Sequence, residues 1–186
     1  MRHDLLRSDQ GKQGIAETRR SIEQAHLVPA GRLMRIYIAG HDIFRADAVI
    51  WAESVRALLA RHGHQALIPL DGDEVTASGI YHANIRMILS ADAVLANLNP
   101  FRGDEPDSGT CFEVGFAVAR SLPVVGYLSD GRRQIDKVGD GERPLDANGQ
   151  LIENFGLPLN LMLAIPCRIV VGDLGTAVAE LSTLIS

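Results

Sequence analysis

The chain has 186 residues, of which 46% are hydrophobic and 22% are charged, and its formal net charge is −5. This composition is typical of a soluble globular domain, and the scattered lysines and arginines argue against a nucleic-acid polymer as partner. No apolar run has the length of a membrane span, and the two cysteines, Cys111 and Cys167, lack metal-ligand spacing. We expect a cytoplasmic protein that uses no metal ion, no organic cofactor and no membrane.

Residues 1–33 differ from the rest of the chain because they are charged and lack a sustained apolar pattern. Within them, residues 17–27 are compatible with a short amphipathic helix, and the first residues are too polar for a secretion signal. We therefore expect an N-terminal extension over residues 1–33, flexible or carrying a short helix, followed by one domain over residues 34–186.

From residue 35 onwards, strand-like and helix-like segments alternate. The predicted strands are RIYIAG (35–40), QALIPL (65–70), DAVLANL (92–98), LPVVGYL (122–128) and CRIVV (167–171). The predicted helices cover residues 47–62, 79–91, 107–121, 157–165 and 173–185, and residues 129–156 read as a long surface loop. This alternation predicts an α/β fold with a doubly wound, five-stranded, mainly parallel sheet and helices on both faces.

The first predicted helix carries five apolar side chains that we expect on its buried face. They are Val49, Ile50, Val55, Leu58 and Leu59. A helix with one apolar face packs that face against the sheet, so these side chains are predicted core residues.

Three loops follow the carboxyl ends of predicted strands, where doubly wound sheets bind their ligands. They are AGHDIFRAD (39–47), NPFRGDEPDSG (99–109) and SDGRRQ (129–134). The first loop lacks the second and third glycines of a G-x-G-x-x-G fingerprint, and no G-x-x-x-x-G-K-[ST] sequence occurs. A dinucleotide or triphosphate site of the common type is therefore disfavoured.

The loop after the third strand holds the most informative carboxylates. Asp107 or Ser108 is a natural N-cap for the next helix, and Glu113 is the single charge in the apolar run 109–119. A buried carboxylate near a helix N-terminus, beside a second carboxylate, suits a nucleophile paired with an acid–base group. The alternative is a structural ion pair of Glu113 with Arg102 or Arg120, with Asp107 only a cap. Arg102 is also a candidate for orienting either carboxylate.

Further candidates lie in the other two loops. Asp42 and Phe44 follow the first strand, where a base or a sugar would bind. Phe44 has two interpretations, a platform for a nucleobase or a side chain that packs on its own loop. Arg132 and Arg133 follow the fourth strand, and they either bind a phosphate group or are solvated.

A motif around these carboxylates has a known counterpart. The run PFRGDEPDSGTCFEVGFA (100–117), preceded by IYIAG (36–40) and ADAVLANLN (91–99) and followed by LPLNLML (157–163), resembles the nucleoside 2-deoxyribosyltransferase family. The resemblance spans roughly residues 35–165. It implies a flavodoxin-like fold and an enzyme of nucleotide salvage that exchanges the base of a 2′-deoxynucleoside with a free purine or pyrimidine base. It also implies a homo-oligomer with sites shared between subunits.

The same resemblance implies three catalytic roles. Glu113 matches the nucleophile that attacks C1′ and forms a covalent deoxyribosyl–enzyme intermediate. Asp107 matches the carboxylate that exchanges a proton with the base, and Tyr37 matches a first-strand tyrosine that positions the nucleophile.

Substrate binding is implied for a second set of residues. Asn84 stands where some relatives have an aspartate that contacts the base, and an amide cannot supply a proton at neutral pH, so more of the proton transfer falls on Asp107. Asn160 matches an asparagine that a neighbouring subunit contributes to sugar recognition, and Gly109 belongs to the central motif. With Asp42 and Phe44, these residues complete the predicted substrate site.

Two other functions stay open at this stage. One is an N-glycoside hydrolase acting on a 2′-deoxynucleoside 5′-monophosphate or on a nucleoside, in which water replaces the incoming base. The other is a binding module for a nucleoside or nucleotide with little catalysis, because a fold alone does not determine a function.

Overall fold

The computed structural model describes residues 32–139 and 144–184. The expected helix at residues 17–27, and nearly all of the expected N-terminal extension, lie outside these ranges. The described chain contains a five-stranded sheet in the order β2-β1-β3-β4-β5. The strands are β1 (Arg35–Ala39), β2 (Gln65–Leu67), β3 (Ala93–Asn97), β4 (Val124–Leu128) and β5 (Arg168–Val171), and every neighbouring pair is parallel. The predicted doubly wound α/β class is confirmed.

Six helices and a short 3-10 turn accompany these strands within the described residues. The helices are α1 (Ala48–Arg61), α2 (Ala77–Leu89), α3 (Ser108–Ala119), α4 (Gln134–Val138), α5 (Leu161–Ala164) and α6 (Leu174–Leu184), and the 3-10 turn is His41–Phe44. Helix α2 begins two residues before its predicted start because Thr76 caps it by accepting a hydrogen bond from the Gly79 amide. Helix α4 lies in the segment predicted to be a loop. None of these helices is long and apolar enough to cross a bilayer.

Two apolar layers enclose the sheet. Helices α1 and α6 cover one face, and helices α2, α3 and α5 cover the other. Side chains along a strand point alternately to the two faces, so Ile36 and Ile38 of β1 pack against α1 and α6 while Tyr37 packs on the opposite side. This alternation places the Tyr37 side chain on the face that α3 covers.

The buried stripe of α1 is narrower than predicted. Ala52, Val55 and Leu59 are at most 2% exposed and follow the spacing of one helical face, whereas Val49 and Ile50 are each 69% exposed. The prediction that Val49 and Ile50 belong to the core was therefore wrong, because these two positions rotate away from the stripe that faces the sheet.

Candidate active site

Glu113 lies on α3 with its carboxylate directed at the first strand. The Tyr37 hydroxyl donates a hydrogen bond of 2.6 Å to Glu113 Oε1. Tyr37 is fully buried in the layer between the sheet and α3, so its ring is held by packing and its hydroxyl has a defined direction. The tyrosine and the glutamate, 76 residues apart in the chain, thus form one unit.

The surroundings of Glu113 alter its acidity. Burial raises its pKa from 4.5 to about 7, and the negative charge of Asp107 acts in the same direction. The Tyr37 hydroxyl and the nearby Asn84 amide lower the pKa and offset part of the effect of burial. Burial, and then the charge of Glu113, raise the pKa of Tyr37 above its usual range, so the phenol stays protonated and donates. Near neutral pH the Glu113 carboxyl is therefore divided between its protonated and ionised forms.

No arginine of the described chain forms a salt bridge with Glu113. The Arg102 guanidinium instead lies over the rings of Phe101 and Phe44, 4.6 and 5.4 Å from their centroids. Within the described residues, the alternative prediction that Glu113 forms a structural ion pair with Arg102 or Arg120 is therefore wrong. The orienting contact considered for Arg102 is also not observed.

Asp107 caps α3. Its Oδ2 atom accepts hydrogen bonds from the Thr110 backbone amide at 3.0 Å and from the Thr110 hydroxyl at 3.2 Å, as the sequence predicts for an N-cap. A Cβ atom built on Gly109 would lie 3.0 Å from the same oxygen, so the glycine leaves room for this carboxylate. Two bonds therefore hold Oδ2, while Oδ1 has no hydrogen-bond partner among the described residues.

Asp107 lies at one end of a cleft of about 420 Å³ that residues 101–108 form. A larger cleft of about 690 Å³ includes Arg35, Glu74 and Arg86 in its wall, but none of the predicted catalytic residues. Size alone favours the larger cleft. The chemistry favours the smaller one, because it holds a carboxylate close enough to Glu113 to raise the pKa of that residue.

Asn84 lies on α2, beside Glu113. Its Oδ1 atom is buried and has no hydrogen-bond partner among the described residues. Buried acceptors are nearly always paired in folded proteins, so this oxygen is available to a donor on a bound ligand.

Asp42 and Phe44 occupy the 3-10 turn after β1 but differ in exposure. Asp42 is 9% exposed, and its Oδ2 atom accepts a hydrogen bond of 2.7 Å from Asn97 Nδ2. Phe44 stacks on Phe101 with a centroid distance of 5.5 Å, yet 57% of the residue stays exposed. Phe44 therefore packs on the loop that follows β3, and not on its own loop as one interpretation had it, and the exposed part of the ring is free to contact a ligand.

Asn160 has a local role in the single chain. It caps α5 by accepting a hydrogen bond from the Met162 amide at 2.9 Å, and its Nδ2 atom donates to Glu153 Oε1 at 3.0 Å. The described residues provide no hydrogen bond between Asn160 and either Tyr37 or Glu113. Its contribution to a neighbouring subunit's site stays a prediction.

The two arginines after β4 are both engaged by acidic neighbours. Arg132 pairs with Asp130 at 2.7 Å, and Arg133 pairs with Asp136 at 2.6 Å. Their charges are thus locally compensated, which weakens their interpretation as a phosphate-binding pair.

Sequence reasoning missed a set of side chains at the same edge of the sheet. Asn97 ends β3, and its Oδ1 atom accepts a hydrogen bond of 2.7 Å from Asn99, whose own Oδ1 accepts from the amide and hydroxyl of Ser129 at 2.8 Å. His41 stacks on Phe101 with a centroid distance of 4.7 Å. The signal was available in the sequence NLNPF, which places one amide at the end of a buried strand and a second amide and an aromatic ring just after it.

Comparison with known proteins identifies the family. The sequence profile of the nucleoside 2-deoxyribosyltransferase family matches residues 36–162, which include Tyr37, Asn84, Asp107 and Glu113. The chain belongs to this family. It is 37% identical to a solved 2-deoxyribosyltransferase from Leishmania mexicana, with 81% of this chain and 97% of that chain covered and a TM-score of 0.73.

Two further relatives extend the comparison. An uncharacterized protein of Schizosaccharomyces pombe is 27% identical over 167 residues, which cover 75% of this chain and 77% of that protein. A solved conserved protein from Enterococcus faecalis V583 is 24% identical, and the match covers 83% of this chain and 98% of that chain with a TM-score of 0.51. This likeness supports the fold alone. The flavodoxin-like fold expected from the sequence is confirmed, and membership of the family supports a glycosyl-transferring enzyme that acts on nucleosides.

Proposed function

We propose that this nucleoside 2-deoxyribosyltransferase family member exchanges the base of a 2′-deoxynucleoside with a free purine or pyrimidine base. The reaction proceeds through a deoxyribosyl group bound covalently to Glu113. The observation that carries the proposal is the hydrogen bond of 2.6 Å from Tyr37 to Glu113, because it fixes the direction of a buried carboxylate and stabilises its ionised form. The acidic group needed for proton transfer, Asp107, lies nearby in the cleft at the same edge of the sheet.

The reaction has two matched halves. In the first, an oxygen of ionised Glu113 bonds to C1′ while the glycosidic C1′–N bond breaks, and the electron pair of the broken bond goes to the leaving base. The base takes a proton from the Asp107 carboxyl. In the second half, a nitrogen of the incoming base bonds to C1′, its proton goes to Asp107, and the Glu113 carboxylate leaves. Retention of configuration follows from two displacements at one carbon.

Tyr37 acts in this scheme as a positioning residue. Burial favours the protonated form of Glu113, which cannot attack, and the Tyr37 hydrogen bond counteracts this by stabilising the carboxylate. A pKa of about 7 keeps a substantial ionised fraction at neutral pH. The Glu113 carboxylate is therefore partly desolvated, which favours its attack on C1′. It is also ionised in a substantial fraction of the molecules at neutral pH.

The remaining expectations from the sequence stay predictions within this proposal. Asp42, Phe44, Gly109 and Asn84 contact the substrate from one chain, and Asn160 does so from a neighbouring subunit of a homo-oligomer. The N-terminal extension over residues 1–33, a cytoplasmic location and a role in nucleotide salvage also stay predictions.

A chromatographic assay tests the transferase directly. Purified protein is incubated with 2′-deoxyinosine, with and without free adenine, and 2′-deoxyadenosine should appear only when adenine is present. The Glu113→Gln variant should form no product, while Glu53→Gln, which removes an exposed carboxylate of α1, should match the wild type. Hypoxanthine release at one rate with or without adenine would instead establish a hydrolase. Product formation by Glu113→Gln at the wild-type rate would refute the mechanism.

A further inference from the structure

Arg102 stands in an acidic loop without forming an ion pair. Asp104, Glu105 and Asp107 follow it within five positions, and the residue is exposed. The guanidinium nevertheless forms no salt bridge or hydrogen bond with any residue in the described ranges. Arg45, from the adjacent loop, behaves differently, because it pairs with Asp47 at 2.9 Å. The N–H donors of Arg102 are therefore free of protein partners in the part of the chain that is described.

Aromatic rings hold this guanidinium in place. It lies over Phe101 and Phe44, whose rings are nearly parallel, with an angle of 10° between their planes. The backbone of Arg102 has φ 55, in the left-handed region that residues other than glycine rarely occupy. Such backbone conformations cluster at functional sites, where the surrounding contacts maintain them. Two cation–π contacts and an unusual backbone conformation thus preorganise a side chain that is otherwise flexible.

The position of Arg102 limits what its donors can bind. The residue lines the same cleft as Asp107, together with Asp104 and Glu105. Three carboxyl groups in the wall disfavour a phosphate or another anion, so the fitting partner is a neutral group that accepts hydrogen bonds. A guanidinium is a planar fork that matches two adjacent acceptors, and N7 and O6 of a 6-oxopurine form such a pair.

We infer that Arg102 is a specificity-determining residue that donates to N7 and O6 of a 6-oxopurine base. This inference rests on the proposed function, since it concerns the base that the enzyme takes up or releases. Adenine presents an amino group where hypoxanthine presents O6, so one of the two hydrogen bonds is lost and two donors face each other. The enzyme therefore prefers hypoxanthine or guanine to adenine as the base.

A competition assay with the Arg102→Gln variant tests the inference. Equal concentrations of hypoxanthine and adenine compete for deoxyribose from 2′-deoxyguanosine, and the ratio of 2′-deoxyinosine to 2′-deoxyadenosine gives the ratio of the two kcat/KM values. A glutamine amide pairs with N6 and N7 of adenine, so the product ratio should fall at least about tenfold relative to the wild type. Arg61→Gln, which removes an exposed arginine from the last turn of α1, should leave the ratio unchanged.

A product ratio within about twofold of the wild type, even with slower turnover, would overturn the inference, because Arg102 would then only hold the loop. Competition of 7-deazahypoxanthine against hypoxanthine on the wild-type enzyme provides a test that does not depend on the folding of a variant. Loss of the N7 acceptor should reduce use of the analogue severalfold, and equal use of both bases would overturn the inference. Wild-type protein that forms neither product would refute the proposed function itself, and with it the inference.

Discussion

Replacing Tyr37 with phenylalanine removes one hydroxyl group and keeps the buried ring. The lost interaction is the hydrogen bond of 2.6 Å to Glu113 Oε1, which lowers the pKa of Glu113. A hydrogen bond to a charged group contributes about 1.5–3 kcal/mol, and one pKa unit corresponds to about 1.4 kcal/mol. Because the hydroxyl also interacts with the protonated carboxyl, the lower end of this range applies. The pKa of Glu113 should therefore rise from about 7 by roughly one further unit.

The assay is the pH dependence of kcat/KM for base exchange, which reports the pKa of the free enzyme. Glu113 must be ionised to attack, so activity rises as the pH passes upward through its pKa. In Tyr37→Phe the acid limb should move to higher pH by about one unit, with activity reduced about tenfold near pH 6 and approaching the wild type near pH 9. Tyr127→Phe is the control for the position of the acid limb, which should not move, because Tyr127 is a buried tyrosine of β4 whose acidic neighbour is Asp42 and not Glu113; its overall activity is not a control, since Asp42 belongs to the predicted substrate site.

The outcomes of this experiment are distinguishable. A loss of activity by one constant factor at every pH would show that Tyr37 does not act through the ionisation of Glu113. Movement of the acid limb to lower pH would contradict the expectation that the Tyr37 hydrogen bond lowers the pKa of Glu113. Thermal unfolding of each variant serves as the check that the fold is retained.

Three further predictions follow from the same geometry. Glu113→Gln should raise the free energy of unfolding near pH 8 by about 3 kcal/mol and have little effect near pH 4, measured by urea unfolding. The raised pKa means that folded-state stability is lost as the pH rises from 4.5 to about 7. Gly109→Ala should lower kcat about tenfold without lowering Tm, because its Cβ would crowd Asp107 Oδ2, whereas Gly115→Ala, with open space around its Cβ, should not change kcat. Phe44→Ala should raise the KM for the free base about tenfold in steady-state assays if the exposed ring stacks on the base.

Much of the fold followed from periodicity, and the exceptions have identifiable causes. The five predicted strands all occur, because each is a short apolar run between turn residues. Helix α4 was missed because its five residues lie in a Gly- and Asp-rich segment, and its two apolar residues, Ile135 and Val138, are too few to show a helical period. A contact with a distant segment stabilises α4, namely the hydrogen bond of 2.8 Å that the Gln134 amide donates to the Leu157 carbonyl. The order of the strands was also not accessible from periodicity, and the flavodoxin-like arrangement came from the family resemblance.

The sequence by itself determined the local part of the candidate site. Glu113 follows Asp107 by six residues. Helical geometry alone therefore predicts that Asp107 caps the N-terminus of the helix and that Glu113 lies within its apolar run. The two capping residue types, Asp107 and Ser108, were sufficient to predict where the helix begins to within one residue. Local spacing has this predictive power because it depends only on backbone geometry.

Only the tertiary structure decided which partners these side chains have. The hydrogen bond between Tyr37 and Glu113 joins residues 76 positions apart, and it requires both the alternation of side chains along β1 and the docking of α3 on that face. Likewise, the sequence suggested only carboxylate partners for Arg102, whereas the structure places its guanidinium over aromatic rings. This placement depends on the loops after β1 and β3 meeting at one edge of the sheet, which brings Phe44 and Phe101 together beneath the guanidinium. Contacts between distant segments depend on strand order and burial, and local spacing encodes neither.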